Sequence, residues 1–182
     1  MKGKAVFLDR DGVINVDHGY VYRPDEFEFI EGVFDACRHF HGLGYLLIVV
    51  TNQSGIARGK YTEQDFQTLT DWMKARFARE SAPLTHVYHC PHHPDHGKVD
   101  ERDCNCRKPR PGMLVTGIHD YGLKAENCIM IGDKRADMEA ASAAGIGRRI
   151  LVRSGQSLSP SDLSTAHSVW PSIREANRAI LA

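Results

Sequence analysis

Short apolar runs alternate along the chain with segments in which apolar residues recur every three or four positions. Runs at 4–8, 45–50, 128–131 and 150–152 have the length and composition of buried strands. A further run at 85–88 is a candidate strand between the second and third of these. Because the runs alternate with helical segments, the pattern predicts a parallel sheet that is covered by helices on both faces.

In the segments between the predicted strands, apolar residues recur with the spacing of a helix. Thr62 is the predicted N-cap of one helix, with Asp65 three residues later as its capping partner. Pro111 is predicted in the first turn of another helix, and Gly145 ends a third. Helices are predicted at 33–43, 62–77, 111–121 and 138–144, with a short one after 171.

These elements predict one α/β domain over residues 1–182, with a Rossmann-like, three-layer arrangement around a parallel central sheet. The stretch 155–162 is rich in Ser and Pro and is interpreted as a loop, not as a linker to a second domain. Ligands of such sheets bind beyond the carboxyl ends of the strands. The polar residues that directly follow the predicted strands are therefore the candidates for function.

The charge balance is neutral, with 23 Lys and Arg residues against 23 Asp and Glu residues. It gives no electrostatic reason to expect a nucleic acid or an anionic membrane as partner, although a local basic patch stays open. No apolar stretch approaches the ~20 residues of a membrane span, and the N-terminal apolar run is too short for a signal peptide. We therefore expect a cytoplasmic protein.

Two acids, Asp9 and Asp11, follow the first predicted strand, and Gly12 allows a turn that brings both toward one pocket. Two carboxylates that meet there would repel each other unless a cation or a shared proton separated them. A solvated turn with two acids is the alternative. Asp133 follows a later strand, with Asp137 four residues on, and such oxygen-rich clusters suit Mg²⁺.

Two further segments have groups that suit a phosphate. After the second predicted strand come a hydroxyl and several backbone amides, which could hold phosphoryl oxygens or could simply cap the next helix. The residues concerned are Thr51, Asn52, Gln53 and Ser54. The adjacent cations Arg107 and Lys108 could neutralise phosphate charge, or they could be a solvated basic pair.

The five cysteines are an odd number, and without an export signal they argue against a disulfide scaffold. Three thiols and one imidazole form two closely spaced pairs and suit a closed tetrahedral Zn²⁺ site in a loop at about 89–107. Reduced cysteines in a polar loop are the alternative. Five histidines lie between 86 and 96, so the imidazole is chosen by its pairing with Cys90. The predicted zinc ligands are Cys90, His92, Cys104 and Cys106.

Together, these residues resemble the four motifs of the haloacid dehalogenase (HAD) superfamily of phosphatases. Those motifs are Asp-x-Asp, a Thr or Ser after the second strand, a Lys, and Gly-Asp-x-x-x-Asp. In this chain they correspond to Asp9 and Asp11, Thr51, Lys108, and Asp133 and Asp137. The resemblance spans residues 6–137 and implies the HAD type of fold.

The resemblance also implies catalytic roles. Asp9 is expected to attack phosphorus and form an aspartyl-phosphate intermediate, and Asp11 to act as general acid and then as general base. Thr51 and Lys108 are expected to hold the transferring phosphoryl group. The implied Mg²⁺ ligands are the carboxylates of Asp9 and Asp133 and the backbone carbonyls of Asp11 and Lys134.

The intervals between the motifs leave no room for a cap domain, so the active site is expected to be open. Within the superfamily, a capless chain with a zinc loop resembles the heptose bisphosphate phosphatases, which act in ADP-heptose synthesis for the lipopolysaccharide core. This implies a monomer that removes the C7 phosphate of a small sugar bisphosphate and leaves heptose 1-phosphate. The implied substrate contacts are Asp17, His18, Gly19, Tyr20, Thr51, Asn52, Gln53, Ser54, Arg107 and Lys108.

Three alternatives to this function remain. Histidinol-phosphate phosphatases have a similar zinc loop, but their cationic substrate should favour extra acids where Arg107 and Arg110 lie in this chain. A non-catalytic phosphosugar-binding module is disfavoured by the intact pair Asp9 and Asp11. A nucleic-acid end phosphatase is disfavoured by the neutral charge balance.

Overall fold

The computed structural model describes residues 3–176, and within them six parallel strands form one sheet. Their spatial order is β3-β2-β1-β4-β5-β6, and every neighbouring pair is parallel. The strands are β1 (Ala5–Leu8), β2 (Leu46–Asn52), β3 (His86–Cys90), β4 (Ile129–Gly132), β5 (Arg148–Val152) and β6 (Ser168–Trp170). This order and the covering helices confirm the predicted α/β fold with a parallel central sheet.

Helices cover both faces of this sheet and make it the middle layer of three. Alternate residues of β1 show this: Val6 and Leu8 lie in one buried apolar cluster, whereas Ala5 and Phe7 lie in the other. A strand buried on both faces has to be apolar throughout, as β1 is. The helices are α1 (Val33–Gly42), α2 (Glu63–Arg79), α3 (Gly112–Asp120), α4 (Arg135–Ala143) and α5 (Pro160–Leu163).

The predicted capping of α2 is confirmed. Thr62 Oγ1 accepts a hydrogen bond from the Asp65 backbone N–H at 3.1 Å, and Asp65 Oδ2 accepts one from the Thr62 N–H at 2.8 Å. The prediction for α3 was wrong by one position, because Pro111 is its N-cap and the helix begins at Gly112. A proline is well suited to either position, since the helix needs no N–H from it there.

Several boundaries differ from the sequence prediction. The strand β2 continues to Asn52, so Thr51 is its last residue but one and does not follow it. The helix α4 begins at Arg135, three residues earlier than predicted, because Asp137 caps the backbone of Lys134. The edge strand β6 was not predicted, since three residues are too few for an alternating pattern. The predicted loop at 155–162 contains the start of α5.

The tail predicted to be helical after residue 171 contains a 3₁₀ turn at Ile173–Glu175, and residues 177–182 lie outside the described part. None of the described helices is long and apolar enough to cross a membrane.

The order of the strands shows where along the sheet a ligand-binding crevice forms. The chain runs outward from β1 to β3 and then returns to β4 on the other side of β1, so the strand order reverses between β1 and β4. A crevice forms at such a reversal, beyond the carboxyl ends of the strands. The loops after Leu8 and Gly132 therefore open into the same crevice.

Candidate active site

Three buried carboxyl groups meet in this crevice. Asp9 directly follows β1, Asp133 directly follows β4, and Asp137 lies in the first turn of α4. The three residues are 5%, 0% and 1% exposed, and one carboxylate oxygen of each lies within 4.8 Å of the others. Without a counter-charge such a group would be strongly destabilised, because buried like charges repel each other.

Lys108 supplies part of that counter-charge. Its Nζ lies 3.1 Å from Asp9 Oδ1 and 2.6 Å from Asp137 Oδ1, and donates to the Val50 carbonyl at 2.8 Å. Burial alone would lower the pKa of this ammonium, but the two carboxylates outweigh burial and raise the pKa. Lys108 therefore stays charged at the centre of the site.

Among the three carboxyl groups of the cluster, Asp133 has the fewest hydrogen-bond and ion-pair partners close to its oxygens. Its Oδ2 accepts from the Gln156 N–H at 3.2 Å, whereas its Oδ1 has no hydrogen-bond partner among the described residues. The nearest cation to Oδ1, Lys134 Nζ, lies 3.8 Å away. Burial, reinforced by the charge of Asp9, raises the pKa of Asp133 to about 8. A buried carboxylate oxygen without a partner beside a second carboxylate fits a divalent cation with oxygen ligands.

Two glycines allow neighbouring loops to close over Asp133. Gly12 has a φ of +86°, and a Cβ there would lie 2.5 Å from Asp133 Oδ2. A Cβ on Gly155 would lie 2.0 Å from the same oxygen. Ser154 Oγ donates to the Gly12 carbonyl at 2.7 Å and ties the two loops together. The loop after β5 is therefore part of the site, which the sequence analysis did not recognise.

Asp11 is held by donors on several sides. Arg10 Nη2 contacts both carboxylate oxygens, at 2.9 and 3.0 Å, Asn15 Nδ2 donates to Oδ1, and Gln53 Nε2 donates to Oδ2, both at 3.0 Å. Burial raises the pKa of Asp11, but the Arg10 guanidinium and these hydrogen bonds outweigh it, and the pKa is lowered. The carboxylate form, which a general base needs, is therefore the resting form.

The predicted substrate residues at the end of β2 prove to have partners within the protein. Asn52 pairs with the backbone of Lys108, donating to its carbonyl at 3.1 Å and accepting from its N–H at 3.0 Å. Gln53 is 2% exposed and donates to Thr51 Oγ1 at 2.9 Å as well as to Asp11. Asn52 thus fixes Lys108, and Gln53 joins Thr51 to Asp11.

Two adjoining cavities lie over these groups. One of about 40 Å³ lies over the acid cluster, and one of about 210 Å³ extends outward from Asp11. Their sizes suit a phosphoryl group and a polyol chain, respectively. Lys134 lines both cavities. The predicted substrate residues that line the larger cavity are Asp17, Gly19, Tyr20, Asn52, Gln53 and Ser54.

His18 is the exception among the predicted loop residues. Its Nε2 lies 2.9 Å from Glu28 Oε2, and it lines a neighbouring surface cavity of about 620 Å³. Gly19 and Tyr20 line both this cavity and the one at Asp11, whereas His18 does not line the cavity at Asp11.

The four predicted zinc ligands come together at the end of β3. The Cys90 and Cys104 sulfurs are 3.6 Å apart, Cys106 lies 2.9 Å from Cys90, and the His92 Nδ1 lies 3.4 Å from Cys106 Sγ. Tetrahedral zinc with Zn–S bonds of ~2.3 Å needs S–S separations of about 3.7 Å. Burial raises the pKa of Cys90, so a cation would be required to hold all three thiols as thiolates.

The two predicted cations next to this cluster have different environments. Lys108 enters the acid cluster, whereas Arg107 Nη1 donates to the His92 carbonyl at 3.1 Å. Arg110 donates to the Cys104 carbonyl at 2.8 Å and forms an ion pair with Asp103. Both partners of Arg110 therefore lie in the predicted zinc loop. Arg107 is adjacent to Lys108 in the sequence, and neither arginine lines the two cavities over the acid cluster and Asp11.

Some residues of the site were missed by the sequence analysis. Asp137 was predicted as part of the acid cluster and of the fourth motif, but its ion pair with Lys108 was not predicted. The Gln156 N–H donates to Asp133, and its side chain donates to Asp17 at 2.8 Å. The only feature of the sequence that could have indicated Gln156 was its position after β5. Arg10 and Tyr61 gave no signal, because a buried arginine and a buried tyrosine look like ordinary residues in a sequence.

Comparison with known proteins agrees with this geometry. A protein-family profile described as HAD-hydrolase-like matches residues 105–176. The D-glycero-beta-D-manno-heptose-1,7-bisphosphate 7-phosphatase of Vibrio cholerae is 48% identical over 182 residues, which cover 100% of this chain and 98% of that protein. The enzyme of the same name from Escherichia coli K12 is 49% identical, over 97% of this chain and 93% of that protein. The chain belongs to this phosphatase family.

A solved structure supports the assignment to the heptose bisphosphate phosphatase family. The D,D-heptose 1,7-bisphosphate phosphatase from B. bronchiseptica, complexed with magnesium and phosphate, has a TM-score of 0.84 and 29% identity, with 98% of each chain covered.

Proposed function

We propose that this chain is a phosphomonoesterase that removes the C7 phosphate of D-glycero-β-D-manno-heptose 1,7-bisphosphate and leaves heptose 1-phosphate. The relatives' names supply the substrate and its β anomer. The product would serve ADP-heptose synthesis for the lipopolysaccharide core, in the cytoplasm, and the enzyme would act as a monomer. Histidinol phosphate is the less favoured substrate, because the full-length relatives are heptose enzymes.

The observation that supports the chemistry best is the position of Asp9, whose Oδ1 is held by Lys108 Nζ and, at 2.8 Å, by the Arg10 N–H. With Oδ1 fixed, Oδ2 is the oxygen available for attack on phosphorus. A bond forms between Asp9 Oδ2 and phosphorus while the bond from phosphorus to O7 of the sugar breaks. Water then attacks phosphorus, the acyl-phosphate bond breaks, and inorganic phosphate leaves with Asp9 regenerated.

Asp11 is the proposed proton carrier in both steps. It donates a proton to O7 as the sugar leaves and takes one from the attacking water. Its carboxylate suits the second step directly. For the first step its pKa has to rise, and the dianionic phosphoryl group of bound substrate is a like charge that would raise it.

The transferring phosphoryl oxygens are proposed to lie against the Thr51 hydroxyl and the Lys108 ammonium. Asp9 and Asp133, with the backbone carbonyls of Asp11 and Lys134, would hold Mg²⁺. When bound, Mg²⁺ supplies positive charge that screens the carboxylates from the phosphate. The ammonium of Lys134, which lines both cavities, adds a second positive charge from the solvent side.

The C7 phosphate is proposed to enter the site, because it lies on a primary carbon at the end of a chain and reaches easily into the narrow 40 Å³ pocket. The C1 phosphate would then stay at the rim near Arg107. A phosphate-release panel with both heptose bisphosphate anomers and histidinol phosphate tests this, with analysis of which phosphate is lost. Loss of the C1 phosphate would reverse the orientation, and a preference for histidinol phosphate would reassign the substrate.

The four-residue Cys and His cluster is proposed to bind one structural Zn²⁺. Four protein ligands fill a tetrahedral site and leave no position for an activated water. Because Cys106 lies only two residues before Lys108, the proposed role of the metal is to fix the segment that delivers this lysine.

A further inference from the structure

Gln53 is a buried side chain whose hydrogen bonds are all made to groups of the site or to one tyrosine. Its Nε2 donates to Asp11 Oδ2 at 3.0 Å and to Thr51 Oγ1 at 2.9 Å, which uses both of its N–H groups. Its Oε1 accepts from the hydroxyl of Tyr61. These hydrogen bonds fix the orientation of the buried Gln53 amide. If the amide were flipped, its Oε1 would face the Asp11 carboxylate, which is also an acceptor.

Tyr61 is itself held rigidly. It is 6% exposed, and its ring stacks on that of Tyr22 with centroids 5.3 Å apart and an angle of 9° between the planes. Gly55 makes room for the ring, since a Cβ there would lie 2.1 Å from Tyr61 Cε1. Burial raises the pKa of Tyr61 to about 12, so the hydroxyl keeps its proton and donates at neutral pH.

We propose that Tyr61 and Gln53 are positioning residues for the general acid, and that the chain of bonds from the Tyr61 hydroxyl through the Gln53 amide aims Asp11 Oδ2 at the leaving oxygen. This inference rests on the proposed function. Neither residue exchanges a proton with substrate. On the opposite side Arg10 Nη2 holds the same carboxylate and also donates to the Val21 carbonyl at 2.7 Å, so Asp11 is fixed from two directions.

Substrates with different leaving groups distinguish a positioning role for Tyr61 and Gln53 from a purely structural role. A sugar alkoxide needs a proton as it departs, whereas the aryl oxide of p-nitrophenyl phosphate does not. The value of kcat/KM reports on the steps up to departure of the leaving group. A misaligned acid therefore slows the sugar phosphate selectively, but a damaged phosphoryl site at Thr51 slows both substrates alike.

The test is Tyr61→Phe, assayed as kcat/KM on heptose bisphosphate and on p-nitrophenyl phosphate. We expect a loss of about tenfold on the sugar bisphosphate, since small misplacements of catalytic groups are costly, and nearly no change on the aryl phosphate. Tyr22→Phe, which removes a hydroxyl from the stacked neighbour, is the matched control and should leave both values unchanged. Gln53→Met keeps the side-chain length but removes the donors to both Asp11 and Thr51, so it should slow both substrates, with the larger loss on the sugar bisphosphate.

The same substitution in an Asp11→Asn background completes the experiment. With the acid removed there is nothing left to position, so Tyr61→Phe should cause no further loss in that background. Equal losses on both substrates, or an additive loss in the Asp11→Asn background, would overturn the inference while leaving the proposed function intact. If Asp11→Asn itself hydrolysed the sugar bisphosphate at the normal rate, both the acid role and its positioning would be wrong.

Discussion

At the scale of single residues, the site is governed by an imbalance of charge. Three buried carboxyl groups share two lysines, of which only Lys108 is buried with them. Each carboxyl has a different environment: Asp137 is paired with Lys108, Asp9 is partly paired, and Asp133 keeps an oxygen without a hydrogen bond. These differences fit the proposed roles of Asp9 as nucleophile and of Asp133 as metal ligand.

Asp9→Asn should abolish phosphate release while the chain still folds. The amide is a far poorer nucleophile than the carboxylate, and loss of a nucleophile typically lowers kcat by at least about 10³-fold. Circular dichroism and thermal unfolding serve as the check on folding. A variant with kcat within tenfold of the wild type would rule out the covalent mechanism.

Gly12→Ala should disrupt the acid cluster, because the added methyl group would lie 2.5 Å from Asp133 Oδ2 in addition to the strain of a positive φ. We expect a loss of activity and a fall in the free energy of unfolding by about 1–3 kcal/mol. Gly59→Ala is the matched control, since Gly59 also has a positive φ, +68°, but has open space around it.

Both glycine variants are compared by denaturant unfolding and by the Mg²⁺ dependence of phosphate release. The strain of a positive φ should appear in both, whereas the loss of activity should appear in Gly12→Ala only. Normal Mg²⁺ dependence in Gly12→Ala would contradict the close packing of this loop on Asp133.

At the scale of elements, each strand end contributes one group and each following loop fixes it. The acids that follow the first and fourth strands were predictable, because a buried apolar run followed by an acid is visible in the sequence. The contribution of the loop after β5 was not predictable, because Gly155 and Gln156 act through a missing side chain and a backbone N–H. The position of His18 beside Glu28 was not predictable for a similar reason, since loop conformation has no periodic signal.

Cys106→Ser should release zinc and lower kcat through Lys108, with the Asp9 pocket left able to bind Mg²⁺. The polar loop has little apolar surface of its own, so zinc in the proposed site would supply much of the free energy that folds it. Cys128→Ser is the control, because this thiol lies outside the cluster and its loss should leave zinc bound. Elemental analysis should find about one zinc per chain in the wild type and in the control. Full activity of a wild-type protein without zinc would contradict the structural role.

At the scale of the whole molecule, the two buried apolar clusters on either side of the sheet hold the strand ends in register. The crevice is open, because no described segment forms a cap over it. Both features were predictable from strand spacing and motif spacing. The edge strand β6 was not, because its three residues depend on pairing with β5 and not on a pattern of their own. The short helix α5 was also not predicted, although Ser159 and Asp162 form a capping box at its start.

Removal of Mg²⁺ should stop activity reversibly and should also lower the midpoint of thermal unfolding. The buried carboxylates repel one another without the ion, and an ion that binds only the folded state stabilises it in proportion to the logarithm of its concentration. A chelator concentration that spares zinc, followed by re-addition of Mg²⁺, is the measurement. In Asp133→Asn the Mg²⁺-dependent rise in the unfolding midpoint should be much reduced, and an unchanged rise would exclude Asp133 as a ligand.

The bonds that close the crevice link the two distant parts of the chain, with Ser154 and Gly12 separated by 142 positions and Gln156 and Asp17 by 139. During synthesis on the ribosome Asp9 emerges long before the loop after β5, so its surroundings are complete only after Ser154 and Gln156 have been translated. Such distant contacts are slow to form, because a long loop has to close first. A nascent chain therefore gains the ability to retain its metal late, and enzymatic competence is among the last properties that the folding polypeptide acquires.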